Sequence, residues 1–359
     1  MEKLHVAIVG CGRISVAHID ALKRLPELAR PVLAVDLDEE KARTAAGQLG
    51  CAWSTDFEAA LREKVDAVHL CLPHDLHAPY AIRAMRAGIP VLTEKPVALT
   101  LQQADEMLRV QRQTGVPLGV VFQTRFIQGV EMLRAMVREG RFGRIVSARS
   151  QLTWNRPYSY YGASDWKGTW AREGGGVLID QAIHSIDRVR YILGDEVEWI
   201  DGSVHNRFHH APLPDGRLLE VEDTAEAVVR FQNGCVYSLY ASDNYGADAP
   251  VSIEFQGDKG RCGLLQDLGF YELDGCYTEI RHTYGGQSVG PHYWGTSHIV
   301  QIRDFYEAVL TGGPVAVDAA DARKTLEIVK GIYLSSVKNQ RVYLPFEDRP
   351  YQGMGLLQR

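Results

Sequence analysis

The chain opens with short, wholly apolar runs separated by amphipathic stretches. Val6-Ala7-Ile8-Val9, Val32-Leu33-Ala34-Val35, Ala67-Val68-His69-Leu70-Cys71-Leu72, Pro90-Val91-Leu92 and Leu118-Gly119-Val120-Val121-Phe122 read as strands. Helical periodicity fills the gaps, over about 13–25, 38–49, 78–87 and 101–113. Strands that are apolar throughout are covered on both faces, so this half predicts a parallel sheet between helices. The pattern changes after about residue 122. A helix over 130–139, a strand over 145–152 and a long helix over 177–193 precede a mostly strand-like stretch from about 197 to 284. Within it, two alternating runs flank Asn233-Gly234, the signature of a hairpin. Helices return over 296–310 and 319–337. The expectation is an α/β chain: one domain over 1–122, and an α+β domain over 123–359 with an open, mainly antiparallel sheet.

Composition narrows the classes. A length of 359 residues suits two domains, and 45% hydrophobic with 23% charged residues is ordinary globular usage. Lys and Arg number 39 against 45 Asp and Glu, a net charge of −6, so no basic field holds nucleic acid or an anionic membrane. No apolar run reaches membrane-spanning length, and the first residues enter a strand without a signal-peptide core, so a cytoplasmic location is expected. Cys11, Cys51, Cys71, Cys235, Cys262 and Cys276 form no C-x-x-C pair and read as buried thiols. His205, His209 and His210 lack acid or cysteine partners at metal-ligand spacing, so no metal is expected.

Gly10-Cys11-Gly12-Arg13-Ile14-Ser15 lies between the first strand and the first helix. Gly10 permits a tight turn, and Gly12 lets a pyrophosphate approach N–H groups at a helix N-terminus. Ser15 occupies the third glycine position and is small enough for close helix–strand packing. Asp36 ends the second strand, 24 residues beyond Gly12. A carboxylate there accepts from both ribose hydroxyls and repels a 2′-phosphate, so NAD is favoured over NADP. Asp36 also suits the start of the next helix, a task open to Asp38. The first domain is therefore expected to be a Rossmann dinucleotide-binding domain.

Two further features carry candidate chemistry. Thr93-Glu94-Lys95-Pro96 follows the fourth predicted strand, and ligands of open α/β sheets sit beyond strand C-termini. An ammonium at Lys95 can stabilise charge developing on a substrate oxygen; a solvated surface lysine fits the pattern too. Gly174-Gly175-Gly176 precedes the long helix, on which Asp180, His184 and Asp187 share a stripe roughly 60° wide. That stripe is either a solvated face or a proton-transfer group with an orienting carboxylate.

The glycine turn, Glu94-Lys95-Pro96 and Asp180-x-x-x-His184, in this order and at these intervals, resemble the glucose-fructose oxidoreductase / inositol dehydrogenase / MocA (Gfo/Idh/MocA) family. Pro73, His77, Ala87-Gly88, Gln123-Thr124-Arg125-Phe126 and Gly140-Arg-Phe-Gly143 extend the resemblance over nearly the whole chain. It implies a Rossmann domain and a C-terminal open-faced sheet used for homodimer or homotetramer formation. It also implies oxidation or reduction of a carbinol carbon of a sugar or cyclitol with NAD. In that scheme Gly10, Gly12, Arg13, Ile14, Asp36, Leu72, Pro73, His77, Glu94, Lys95 and Gln123 bind the cofactor. Lys95, Asp180 and His184 carry the chemistry, with His184 the proton-transfer residue oriented by Asp180, and Arg125 joins them at the substrate.

Residues 151–170 hold Trp154, Tyr158, Tyr160, Tyr161, Trp166 and Trp170, in a chain that is 9% aromatic overall. Rings with polar tips suit a sugar's C–H faces and hydroxyls, and Arg156, Lys167 and Arg172 among them suit a carboxylate or phosphate. Tyr161, Trp166 and Lys167 are the expected substrate contacts. The run Trp154-x-Arg156-Pro157, Tyr160-Tyr161 and Trp166-Lys-Gly-Thr-Trp170 looks like the family branch containing UDP-N-acetylglucosaminuronate 3-dehydrogenases. That branch usually carries an amide where this chain has Asp180, which leaves a free sugar or cyclitol in front. The alternatives are a sugar-nucleotide 3-dehydrogenase, an NAD-using glycosidase acting by transient oxidation, and a non-enzymatic NAD(H) sensor.

Overall fold

The computed structural model describes residues 3–62, 64–207, 212–213, 215–287 and 289–348. Contacts divide the chain into two units. One gathers the chain up to Ala98 with Gln102–Phe126 and Tyr284–Arg323; the other gathers Leu99–Leu101, Ile127–Thr283 and the chain from Lys324 on.

In the first unit, strands β1 (Leu4–Val9), β2 (Ala29–Val35), β3 (Ala52–Ser54), β4 (Ala67–Leu70), β5 (Val91–Thr93) and β6 (Leu118–Val120) form one sheet in the order β3-β2-β1-β4-β5-β6. The five strand pairings of this sheet are all parallel. That order is the doubly wound one in which a dinucleotide lies across the reversal between β1 and β4. Helices α1 (Ser15–Arg24), α2 (Glu39–Leu49), α3 (Glu58–Arg62), α4 (His74–Arg86) and α5 (Leu101–Thr114) connect the strands. The edge strand β3 escaped the sequence pattern because none of its three residues is buried. Helix α4 starts four residues before its expected start, because His74 and His77 look polar but are buried.

The second unit is built on nine strands: β7 (Ile145–Thr153), β8 (Val197–His205), β9 (Thr224–Phe231), β10 (Val236–Ser242), β11 (Ser252–Gly257), β12 (Gly260–Leu265), β13 (Leu268–Leu273), β14 (Cys276–Ile280) and β15 (Val342–Tyr343). Their order is β14-β13-β12-β11-β7-β10-β9-β8-β15. The β7–β10 pair is parallel and the other pairings are antiparallel. Buried and exposed residues alternate along β7 and β9, so one face is covered and the other open. Helices α6 (Gln128–Arg138), α7 (Tyr158–Gly162) and α8 (Ile183–Leu193) belong to this unit, and α6 and α8 pack on each other and on the sheet.

Two late helices finish the chain. Helix α9 (His298–Thr311) returns to the first unit and lies against α1, where Phe305 and Tyr306 join the core with Ile8 and Leu22. Gln301 on α9 continues the ladder of β6: its Oε1 accepts the Phe122 N–H at 3.0 Å, and its Nε2 donates to the Val120 carbonyl at 2.7 Å. Helix α10 (Ala319–Lys338) follows, and its Ser335 and Ser336 hydroxyls accept the N–H groups of Gly202 and Val204 on β8.

The triple glycine is required by what surrounds it. A Cβ on Gly175 would lie 2.0 Å from the Tyr333 hydroxyl, and one on Gly176 would lie 1.9 Å from the Glu222 carbonyl oxygen. The buried Glu222 carboxylate accepts the Gly176 N–H at 2.8 Å, the Leu178 N–H at 3.0 Å and the Tyr333 hydroxyl at 2.8 Å. A π-type turn, Leu178–Ala182, starts the helix that continues as α8. An anion on the first N–H groups of a helix complements its dipole. The wider turn breaks the 100° phase assumed for the polar stripe. Asp180 and His184 stay partly exposed, whereas Asp187 is buried and accepts the Thr325 hydroxyl at 2.7 Å.

Gly176→Ala is expected to cost about 2 kcal/mol or more, the range of a core clash. That is a fall in Tm of ~4–8 °C for a unit of this size, and an unchanged melt would contradict the packing. Burial pushes Glu222 up to about 7, against the hydrogen bonds from Leu178, Tyr333 and Gly176. The folded form thus keeps a proton that the unfolded chain, ionising near 4.5, has released. Its contribution to stability falls as pH rises from about 4.5 to about 7. Melts of the wild type and Glu222→Gln should therefore diverge with pH, the wild type losing ground; parallel curves would remove this assignment.

Candidate active site

In the first unit the glycine turn has the geometry of a phosphate cradle. Gly10 has φ +88°, and a Cβ there would lie 2.4 Å from the Cys71 carbonyl oxygen. A Cβ on Gly12 would meet nothing within 4 Å, so that backbone is open to a ligand. Ser15 is buried, and its hydroxyl donates to the Gly12 carbonyl at 2.6 Å, holding the turn where the fingerprint expects glycine. Ile14 sits at the cap position of α1 and supplies no side-chain cap, which leaves that helix N-terminus to an anion. Asp38 caps α2 by accepting the Glu40 and Lys41 N–H groups. Asp36 accepts the Cys11 N–H at 2.7 Å and the Asp38 N–H at 2.9 Å, which ties it to the glycine turn. These residues fit a dinucleotide.

Other expected cofactor residues have partners within the first unit. Leu72 and Pro73 follow β4, and a Cβ on Gly10 would stand 3.1 Å from Leu72 Cδ2. His77 is buried, with its ring nitrogens 2.7 Å from the Pro96 carbonyl oxygen and 2.9 Å from that of Leu72. It ties the loop after β4 to the loop after Lys95. Burial lowers its pKa, the two carbonyls opposing. Arg13 donates to the Tyr293 hydroxyl at 2.6 Å and lies over the Trp294 ring. Gln123 donates to the Trp294 carbonyl at 3.3 Å, while its buried Oε1 has no partner among the described residues, as expected of an acceptor kept for a ligand. Arg125, expected at the substrate, is buried and ion-paired with Asp321, with its guanidinium over the Phe122 ring.

Glu94 belongs to a buried chain that the sequence did not disclose. His18 Nε2 is 2.9 Å from Glu94 Oε1, His18 Nδ1 is 2.9 Å from His69 Nδ1, and His69 Nε2 is 3.0 Å from the Tyr306 hydroxyl. One set of tautomers satisfies all four groups: Tyr306 donates to His69, His69 to His18, and His18 to the Glu94 carboxylate. Burial alone would raise Glu94, but the His18 hydrogen bond and the electrostatic pull of His18, His298 and Lys95 outweigh it and draw it to about 2. Burial and the neighbouring His18 hold His69 well below its ordinary value. An ionised Glu94 therefore sits directly before Lys95, which follows the C-terminal end of β5.

In the second unit the chemistry gathers on Asp180. Its Oδ2 accepts the Tyr160 hydroxyl at 2.7 Å and the Lys167 ammonium at 2.7 Å. Lys167 also reaches Glu173 Oε1 at 3.2 Å and lies 4.5 Å from the Trp166 ring centre and 4.8 Å from that of Tyr160. Burial opposes the charge on Lys167, but Asp180, Tyr160 and Glu173 outweigh it and raise its pKa well above the ordinary value. Burial pushes Glu173 up to about 7 against the pull of Lys167. Lys167 thus stands at Asp180 with Trp166 against its ammonium, and Tyr160, which the sequence did not single out, stands there too. Tyr161 instead is buried, and its hydroxyl donates to Asp243 Oδ2 at 2.6 Å. His184 follows four residues after Asp180, and Gln181 Oε1 and Ser185 Oγ beside it are buried without partners among the described residues. His209 and His210 lie outside the described residues.

Two family models match the chain. Residues 4–122 match the family model described as the oxidoreductase family, NAD-binding Rossmann fold, and residues 130–262 match that of the GFO/IDH/MocA C-terminal domain. The chain is 26% identical to levoglucosan dehydrogenase of Pseudarthrobacter phenanthrenivorans over 96% of its own length and 99% of the relative's. It is 28% identical to myo-inositol 2-dehydrogenase of Thermotoga maritima over 93% of its length and 99% of the relative's. The crystal structure of the WlbA dehydrogenase from Bordetella pertussis, in complex with NADH and UDP-GlcNAcA, is similar with a TM-score of 0.82 and 27% identity, covering 96% of this chain and 100% of that one. Residues 4–122 are an NAD-binding Rossmann domain, and the chain belongs to the Gfo/Idh/MocA oxidoreductase family of NAD-dependent sugar and cyclitol dehydrogenases.

Proposed function

We propose that the chain transfers a hydride between a carbinol carbon of a sugar or cyclitol and NAD. The observation that carries this is the Asp180 carboxylate, held by Tyr160 and Lys167 at the start of the helix that bears His184, in a chain whose other unit presents an open glycine turn. The backbone of Gly10, Gly12, Arg13 and Ile14 would hold the pyrophosphate, and Asp36 the adenosine ribose. When bound, NAD supplies the carbon that accepts the hydride. His184 takes the proton from the substrate hydroxyl during oxidation and returns it during reduction. The Lys95 ammonium donates to the same oxygen and stabilises its negative charge. Asp180 accepts from a neighbouring hydroxyl and fixes which carbon is presented. Formation of a homo-oligomer, supported by the exposed Val146 and Val228 on the open sheet face, and a cytoplasmic location belong to the same proposal. A sugar-nucleotide 3-dehydrogenase is the second reading, favoured by the likeness to WlbA.

The test is NADH formation from NAD across inositols, aldoses, sugar phosphates and UDP-sugars, with Lys95→Ala as control. His184→Ala should lose about 10²-fold or more in turnover while still binding NAD. Full activity in that variant would reject His184 as the base. Asp36→Ala should weaken NAD binding about tenfold or more; unchanged affinity would remove the ribose assignment.

A further inference from the structure

The aromatic-rich segment holds cations that the sequence offers to an anionic substrate, but each one already has a carboxylate from its own unit. Arg156 Nη1 lies 3.0 and 3.1 Å from the two oxygens of Asp248. Arg172 donates to Asp165 at 2.7 Å, and Arg217, whose guanidinium also donates to the Lys167 carbonyl, pairs with Asp215 at 2.7 Å. Lys167 is the most enclosed. Its side chain is 13% exposed, against 0% for Glu173 and 11% for Asp180, so little water screens the group. An ammonium has three donors. Two are directed at Asp180 and Glu173, and the faces of Tyr160 and Trp166 flank the charge.

We infer that Lys167, closed off by Asp180 and Glu173, sets the charge class of the substrate, so that the enzyme takes a neutral polyol and rejects the same sugar carrying a carboxylate. This rests on the dehydrogenase function proposed above. A third carboxylate brought to this group meets two others around one ammonium, and like charges in an enclosed site are costly. Drawing Lys167 towards the newcomer leaves Asp180 or Glu173 buried without its counter-charge, which is costlier still. A neutral hydroxyl meets neither penalty, because it donates to Asp180 and adds no charge. The discrimination is repulsive in origin, and it acts even where the rest of the sugar fits.

Matched pairs test this: glucose with glucuronate, galactose with galacturonate, and UDP-N-acetylglucosamine with its uronate. For each pair, kcat/KM is measured with NAD at about pH 8.5, above the value of about 7 to which burial raises Glu173, for the wild type and for Glu173→Gln, which keeps the shape of the side chain and removes one negative charge. Binding of both members to the NADH-loaded protein is followed by calorimetry. The wild type is expected to favour the neutral member by about tenfold or more, and Glu173→Gln to narrow that ratio by at least about threefold. If Glu173→Gln does not fold, Asp180→Asn read by binding alone carries the comparison, with uronate affinity rising relative to the neutral sugar. A wild type that handles the uronate as well as its neutral partner, or a folded variant with an unchanged ratio, overturns the charge-class inference and leaves the dehydrogenase standing. Turnover of neither member of any pair overturns this inference, and no NADH from the inositols or sugar phosphates either overturns the dehydrogenase function itself.

Discussion

The second unit depends on one buried carboxylate. Glu222 receives the first N–H groups of the helix that bears Asp180 and His184, together with the Tyr333 hydroxyl. Its cost is desolvation, and its return is the placement of a helix start that no side chain of its own caps. The three glycines before that helix are the complement of this arrangement. Gly175 and Gly176 let the chain approach Tyr333 and Glu222 more closely than any side chain allows, and Gly174 does the same against Leu99. Because the start of the helix is fixed by backbone bonds, the side chains one and two turns later inherit a fixed direction.

The first unit uses the same device around Lys95. Glu94 on one side is buried and bonded to His18, and Pro96 on the other is bonded through its carbonyl to His77. The lysine therefore sits between two anchored neighbours. Rigid support of this kind is what a preorganised site requires, since a misplacement of an ångström in a catalytic group is expensive. The histidines behind Glu94 extend the support into the core, where Tyr306 on α9 closes the chain of hydrogen bonds. A helix from far along the sequence thus helps hold the residue that follows β5.

What was legible in the sequence is what is contiguous. The glycine turn, the apolar strands, the Asn233-Gly234 hairpin and the triple glycine are local patterns, and local backbone demands produce them. Partnerships across the chain were not legible. His18 and His69 are 51 positions apart, His69 and Tyr306 are 237, and nothing near either residue signals the other. The same blindness explains Arg125 and Tyr161. Each has the chemistry of a substrate contact, yet Asp321 and Asp243, 196 and 82 positions away, engage them in the interior. The π-type turn was equally invisible, because periodicity assumes a uniform helix, and Asp187 lies in the core because α8 is buried on nearly every side.

The cations of the aromatic segment carry this point into specificity. An arginine or lysine among tryptophans looks available for a phosphate or a carboxylate, but availability is a property of the carboxylates that folding brings beside it. Asp180 is the sharpest case, since its Oδ2 holds the Lys167 charge and belongs to the carboxylate proposed to receive a substrate hydroxyl. Charge balance and substrate recognition therefore meet in that group, and a change at Asp180 alters both. An amide at that position, as in the sugar-nucleotide branch that the Trp166–Trp170 run resembles, still accepts from Tyr160 but no longer neutralises Lys167. With Glu173 as its remaining counter-charge, the ammonium can then answer an anionic substrate. On the charge-class inference, one oxygen for one nitrogen at residue 180 would separate a site for neutral polyols from a site for their acids.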